Sequence, residues 1–104
     1  MLNFVRKCDE MLYWIRDKMN FVSSDDLGMD LEHVEVIQRK FEEFIKELDH
    51  NQSRINDVNM DAQQLIEEGH PEHEQIRYKC EEVNEAWHKL GTLTSTRYLF
   101  IYTS

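Results

Sequence analysis

The fold class predicted from the sequence is all-α: an up-down-up antiparallel three-helix left-handed coiled-coil bundle. Three observations predict it. Apolar residues recur at alternating steps of three and four along most of the chain. Punctuation is scarce, with one proline (Pro71) and three glycines (Gly28, Gly69, Gly91) in 104 residues. An all-β domain would turn every ~8–12 residues and would need more. The turn-forming residues gather mainly at 23–30 and 68–72, which leaves helical segments near 2–22, 31–68 and 73–101.

In the first segment Phe4, Cys8, Met11, Ile15 and Val22 share a narrow arc at the helical period. Leu12 and Met19 widen the arc on one side, Trp14 and Phe21 on the other. A stripe about half the circumference wide suits a helix that packs against two neighbours, whereas a two-stranded coiled coil needs only a seam. Lys7 and Lys18 fall at the stripe's edge and are expected to snorkel outward.

The second segment carries the strongest pattern: Val34, Ile37, Phe41, Phe44, Leu48, Asn51, Ile55, Val58, Ala62 and Leu65, with Asn51 the one polar member. Leu31, Ile45 and Ile66 form an adjacent seam, so this helix too has two partners. An unbroken helix over 31–68 is about 57 Å long at 1.5 Å per residue. Asp30 is the expected N-cap, with Glu32 and Glu35 favourable to the dipole in the first turn. Gly69 stands where a left-handed C-terminal cap is wanted, and Pro71 prevents continuation.

The third segment repeats the spacing with Ile76, Cys80, Val83, Trp87, Leu90, Thr94, Arg97 and Ile101. It starts well and degrades, because Gly91, Thr92, Thr94, Ser95 and Thr96 are poor helix formers. Residues 98–102 are then apolar in a row; Tyr98 and Ile101 continue the stripe, while Leu99 and Phe100 leave it.

Composition narrows the function. A chain of this length is expected to form one domain, 1–104. A net charge of −9 argues against a nucleic-acid partner or an anionic membrane surface, both of which select clustered Lys and Arg. There is no run of about 18 apolar residues, hence no expected membrane insertion. Charges at Arg6 and Lys7 interrupt the stretch that a secretory signal would need to keep apolar. Two cysteines cannot make a disulfide framework, so a reducing cytoplasm is the expected setting.

No residue set calls for catalysis, a cofactor or a metal. His70-Pro71-Glu72-His73-Glu74 offers two imidazoles and two carboxylates, but the proline-containing turn fixes no common face and no third ligand lies near. Helix capping is the better account. Asp25, Asp26, Asp30 and Glu32 surround Gly28, yet with Gly28 at the sixth position of a calcium loop, ligand positions fall on Ser23, Leu27 and Val34. Cys8 and Cys80 lie on apolar stripes of helices expected to run parallel, and so belong to a similar layer as buried, inert thiols. Trp14 and Trp87 are read as neighbouring core residues rather than a stacking platform. The structural core expected from phase alone is Phe4, Met11, Trp14, Ile15, Phe44, Leu48, Ile55, Ile76, Val83, Trp87 and Leu90.

These residues resemble a spectrin repeat, the three-helix module of spectrin, α-actinin and dystrophin. The match runs over about 4–97. It comprises Phe4, Trp14 and Ile15; Ser24-Asp25-Asp26-Leu27-Gly28 and Asp30-Leu31; then Lys40, Phe44, Glu47, Leu48, Ile55, Leu65, Ile66 and Gly69-His70-Pro71. It continues with Ile76, Glu81-Glu82-Val83-Asn84-Glu85, Trp87, Leu90 and Arg97. The two loops look most like spectrin itself, the alpha chain first. Phe41 and Asn51 stand where the family often has His, and the apolar tail 98–104 replaces the usual charged helix formers. The resemblance implies a non-enzymatic structural module of the actin-associated membrane cytoskeleton at the cell cortex. It implies neighbouring repeats and other cytoskeletal proteins as partners. The apolar tail supports an alternative, an autonomous adaptor or homodimer formed through the tail or by a swap of the third helix.

Overall fold

The computed structural model describes residues 2–23 and 34–103. They form α1 (Leu2–Ser23), α2 (Val34–Glu67) and α3 (His73–Thr103). The expected N-cap at Asp30, the turn around Gly28 and the acidic loop residues lie outside the described residues.

Pairs that bridge the helices give the topology. Lys7 meets Asp61 and Lys18 meets Glu47, so α1 and α2 run antiparallel. Asn59 meets Asn84 and Glu42 meets Tyr102, so α2 and α3 are antiparallel as well. Asp9 meets Lys79 and Trp14 meets Trp87, so α1 and α3 are parallel. The bundle is a slender body of 56 × 20 × 19 Å. An odd number of helices places the start of α1 and the end of α3 at opposite poles.

Local chemistry sets the α2–α3 turn. Gly69 adopts φ 75°, in the left-handed region open to glycine. Its N–H donates to the Ile66 carbonyl (3.0 Å) and the His70 N–H to the Leu65 carbonyl (3.1 Å), the paired bonds of a Schellman cap. His70 then caps the start of α3. Its Nδ1 accepts from the Glu72 N–H (3.0 Å) and its carbonyl from the His73 N–H (3.1 Å). These bonds satisfy donors that the first turn of a helix leaves free.

The core runs the length of the bundle. Phe4, Cys8, Met11, Ile15 and Val22 of α1 are buried, as are Ile37, Phe41, Phe44, Ile55, Val58 and Ala62 of α2. Ile76, Val83, Leu90 and Ile101 complete it from α3. Phe44 sits edge-on to both Phe21 and Phe41, with ring centroids at 5.5 and 5.9 Å.

α3 does not degrade where its propensity does. It stays helical to Thr103, through every poor helix former. Thr94 Oγ1 donates to the Leu90 carbonyl (2.6 Å) and Thr96 Oγ1 to the Thr92 carbonyl (3.1 Å), so both hydroxyls are satisfied on the helix itself. Ile101 is buried, and Tyr98 packs on Phe41 at 6.3 Å. Burial of the far end thus outweighs weak local preference.

Candidate functional site

Of the residues expected to build the core from helical phase, Phe4, Met11, Ile15, Phe44, Ile55, Ile76, Val83 and Leu90 are buried. Trp14, Leu48 and Trp87 are half-buried and pack against that core. The two indoles lie at 6.3 Å with planes 30° apart. Each indole keeps an edge at the surface. Lys18 spans that edge, its Nζ 5.9 Å from the centre of the Trp14 ring and 2.9 Å from Glu47.

Cys8 is fully buried and Cys80 half-buried, and both are free thiols. Burial pushes the Cys8 thiol up to about 11, with a smaller contribution from neighbouring Cys80. Burial also raises Cys80, against the opposing effect of its hydrogen bond with Asn84. A thiol held protonated is a poor nucleophile and a poor metal ligand.

A polar seam that phase alone did not single out joins α2 to α3. Asn59 and Asn84 exchange amide hydrogen bonds: Asn59 Nδ2 donates to Asn84 Oδ1 (3.0 Å), and Asn84 Nδ2 donates back to Asn59 Oδ1 (2.8 Å). Cys80 Sγ donates to Asn59 Oδ1 (3.1 Å), and Asn59 Nδ2 also reaches the Ile55 carbonyl (2.9 Å). A one-residue slip of either helix would break all of the cross-helix bonds, so the cluster selects one register. Its signal in the sequence is an Asn at the flank of each stripe, too common a pattern to read without knowing which flanks meet.

Asn51, in the apolar seam of α2, is buried and satisfied. Its Nδ2 donates to the Glu47 carbonyl (2.8 Å), and its Oδ1 accepts from Arg54 Nη1 (2.9 Å). Arg54 also reaches Glu10 of α1 at 3.7 Å. Among the described residues, no buried side-chain nitrogen or oxygen lacks a partner. The surface ion pairs Lys7–Asp61 (2.7 Å) and Lys79–Asp9 (3.0 Å) raise both lysines through their hydrogen bonds, yet exposed pairs of this kind add little stability. No cluster of three or more His, Cys, Asp or Glu able to hold a metal is present among the described residues. No helix among them is long and apolar enough to cross a membrane.

The described residues thus form a slender three-helix module whose interior is packed and whose buried polar groups are hydrogen-bonded. Comparison with known proteins gives it a family. The Spectrin repeat family model matches residues 1–99. The chain is 36% identical over 94 residues to the mouse spectrin alpha chain, erythrocytic 1, covering 90% of this chain. It is 38% identical over 93 residues to the human spectrin beta chain, non-erythrocytic 4, covering 88% of this chain. It is 31% identical over 90 residues to the Drosophila melanogaster spectrin beta chain, covering 86% of this chain. The chain spans about 4% of the length of each of these relatives. It belongs to the spectrin-repeat family, a family of structural, non-enzymatic modules. By identity the alpha chain (36%) lies between the two beta chains (38% and 31%).

Proposed function

We propose that this chain is one unit of an elastic rod in the actin-associated membrane cytoskeleton at the cell cortex, and a platform on which other cytoskeletal proteins dock. The carrying observation is family membership over residues 1–99. The geometry supports it. Helix ends at opposite poles allow units to be joined head to tail. The core of a body about 20 Å across is thin, so each unit has modest stability and can yield singly under load.

Single-molecule pulling on a tandem of four copies, each α3 fused to the next α1, tests the rod reading. The expected record is a sawtooth whose steps add roughly 300 Å of contour length, the extended length of one unit less its folded length. A tandem that extends without discrete steps would sink it.

The alternative, an autonomous adaptor or homo-oligomer, draws on the exposure of Leu99 and Phe100 at the end of α3. Light scattering on the whole chain and on one ending at Arg97 tests this. Monomers in both cases remove the tail-driven assembly.

A further inference from the structure

Two thiols distant in the chain stand level across the parallel pair α1 and α3. Lys79 bonds to Asp9 beside them, and Trp87 stacks on Trp14 further along. Residue numbers in α3 therefore run 70 ahead of α1 at the first contact and 73 ahead at the second. Cys8 and Cys80, 72 apart, fall inside that interval. They are level to within about two residues, or roughly 3 Å along the axis. Cys8 has no exposed surface and Cys80 packs on the core that contains it, so both face inward. Helices packed about 8–10 Å apart, with Cα atoms about 2.3 Å from each axis, hold facing Cα atoms at roughly 4–6 Å, the span a disulfide needs. Their proximity also shows in their charges, since a Cys80 thiolate opposes ionisation of Cys8.

The two sulfurs differ in access and in partners. Cys80 is half-buried and borders a groove of about 450 Å³ between α2 and α3, beside Asn59, Gln63, Ile66 and Arg77. A small oxidant in that groove meets its Sγ. Asn84 Nδ2 donates to this sulfur at 3.4 Å and so favours its thiolate against the cost of burial. The thiol itself donates to Asn59 Oδ1 at 3.1 Å, toward α2. Once ionised, Cys80 has no proton to give Asn59, and a change of χ1 to another staggered well swings the sulfur by about 120°. Cys8 is sealed from solvent, so the sulfur it attacks is one already inside the bundle. An accessible thiol that reacts first, with a second thiol beside it to resolve the product, is the arrangement of a redox sensor. Burial raises both thiols, so closure is slow and answers sustained oxidation rather than a brief pulse.

We propose that Cys8 and Cys80 are a reversible redox pair, closed by a peroxide into a disulfide that ties α1 to α3 and limits how far this unit extends under load. The Cys80 thiolate attacks one peroxide oxygen. The O–O bond breaks, the sulfur becomes a sulfenic acid, and the departing hydroxide takes up the proton that the thiol released, forming water. The Cys8 sulfur then attacks the Cys80 sulfur. The S–S bond forms, the S–O bond breaks, and hydroxide leaves with the Cys8 proton as a second water. Both sulfurs are oxidised and both peroxide oxygens reduced. Two equivalents of a monothiol restore the thiols through a mixed disulfide. The closed loop withholds residues 9–79 from extension, so only the ends lengthen. Formation of the bond stands apart from the proposed function; its mechanical effect rests on the rod reading.

The test treats the whole folded chain with hydrogen peroxide and maps tryptic peptides without reduction. Lys7 and Lys79 precede the cysteines, so each begins its own peptide, 8–16 and 80–89. The expected product is a monomer in which these two peptides are linked and which a reductant separates. Cys8→Ala should leave a sulfenic acid at Cys80 that dimedone traps. Cross-linked dimers, a sulfinic acid at Cys80 with Cys8 untouched, or two free thiols after prolonged treatment would each overturn the proposal. In the four-copy tandem, oxidation should shrink each pulling step from roughly 300 Å to about 60 Å, and reductant should restore it. A full-length step from linked units would overturn the limit on extension. If the reduced tandem gives no sawtooth, the rod reading fails while the linked peptides still decide the pair.

Discussion

Gly69 and Gly91 permit one chemical change to be tested for opposite signs. Replacing Gly69 with Ala puts a Cβ on a backbone at φ 75°, which costs an L-residue roughly 1–2 kcal/mol. Part of this is offset by the reduced freedom of the unfolded chain, about 0.4–1 kcal/mol, leaving a net loss near 1 kcal/mol. Gly91 is an exposed residue inside α3 with nothing within 4 Å of a new Cβ. Ala there should stabilise by about 0.8–1 kcal/mol. The two variants should therefore differ by about 2 kcal/mol, or roughly 8 °C in Tm for a domain of this size. Urea and thermal unfolding followed by circular dichroism at 222 nm measure both. Shifts in the same direction would refute the reasoning; a destabilised Gly91→Ala would mean that the space over Gly91 is already filled.

Other expectations follow from the core and the seam. Trp87→Ala removes half-buried packing and the stack on Trp14, and should cost about 3 kcal/mol, near the lower bound for aromatic truncation. That moves the isolated domain close to unfolding at body temperature; a melt within 3 °C or so of the parent would contradict it. Cys8 is raised from about 9 to about 11 by burial, so between these values the unfolded chain has lost a proton that the folded chain still holds. Its contribution to stability is full below pH 9 or so and is lost as pH climbs to about 11. The urea midpoint of the parent should fall across that window more steeply than that of Cys8→Ala, and parallel pH profiles would show the thiol to be uninvolved. Asn84→Ala should destabilise by about 1 kcal/mol or more, and a double-mutant cycle with Asn59→Ala should show coupling of at least about 0.5 kcal/mol. Additive losses would mean that the two amides do not bond in solution.

Much of the bundle was legible in the sequence because its elements are local. Periodicity marks which face of each helix is apolar, and Gly69 with Pro71 ends α2 within one residue of the expected place. Phase also grouped Trp14 with Trp87 and Cys8 with Cys80. Phase has no depth, however, and that is why Trp14, Leu48 and Trp87 read the same as Ile15 or Leu90 yet remain half-buried. The end of α3 falls within two residues of its expected place although its local propensity is weak. A run of Gly, Ser and Thr looks weak alone, but Thr94 and Thr96 bond back to the helix and Ile101 is buried.

The order of apolar positions and turns by itself determined three helices, their approximate ends and the faces that turn inward, since a helix places every third or fourth residue on one side whatever lies nearby. Only the tertiary structure decided which flanks meet. Asn59 could find Asn84, Tyr102 could find Glu42, and Gly91 could leave a gap opposite Ile45, only once three stripes had been rotated against one another. That rotation is set by packing among residues distant in the chain, and no local pattern encodes it.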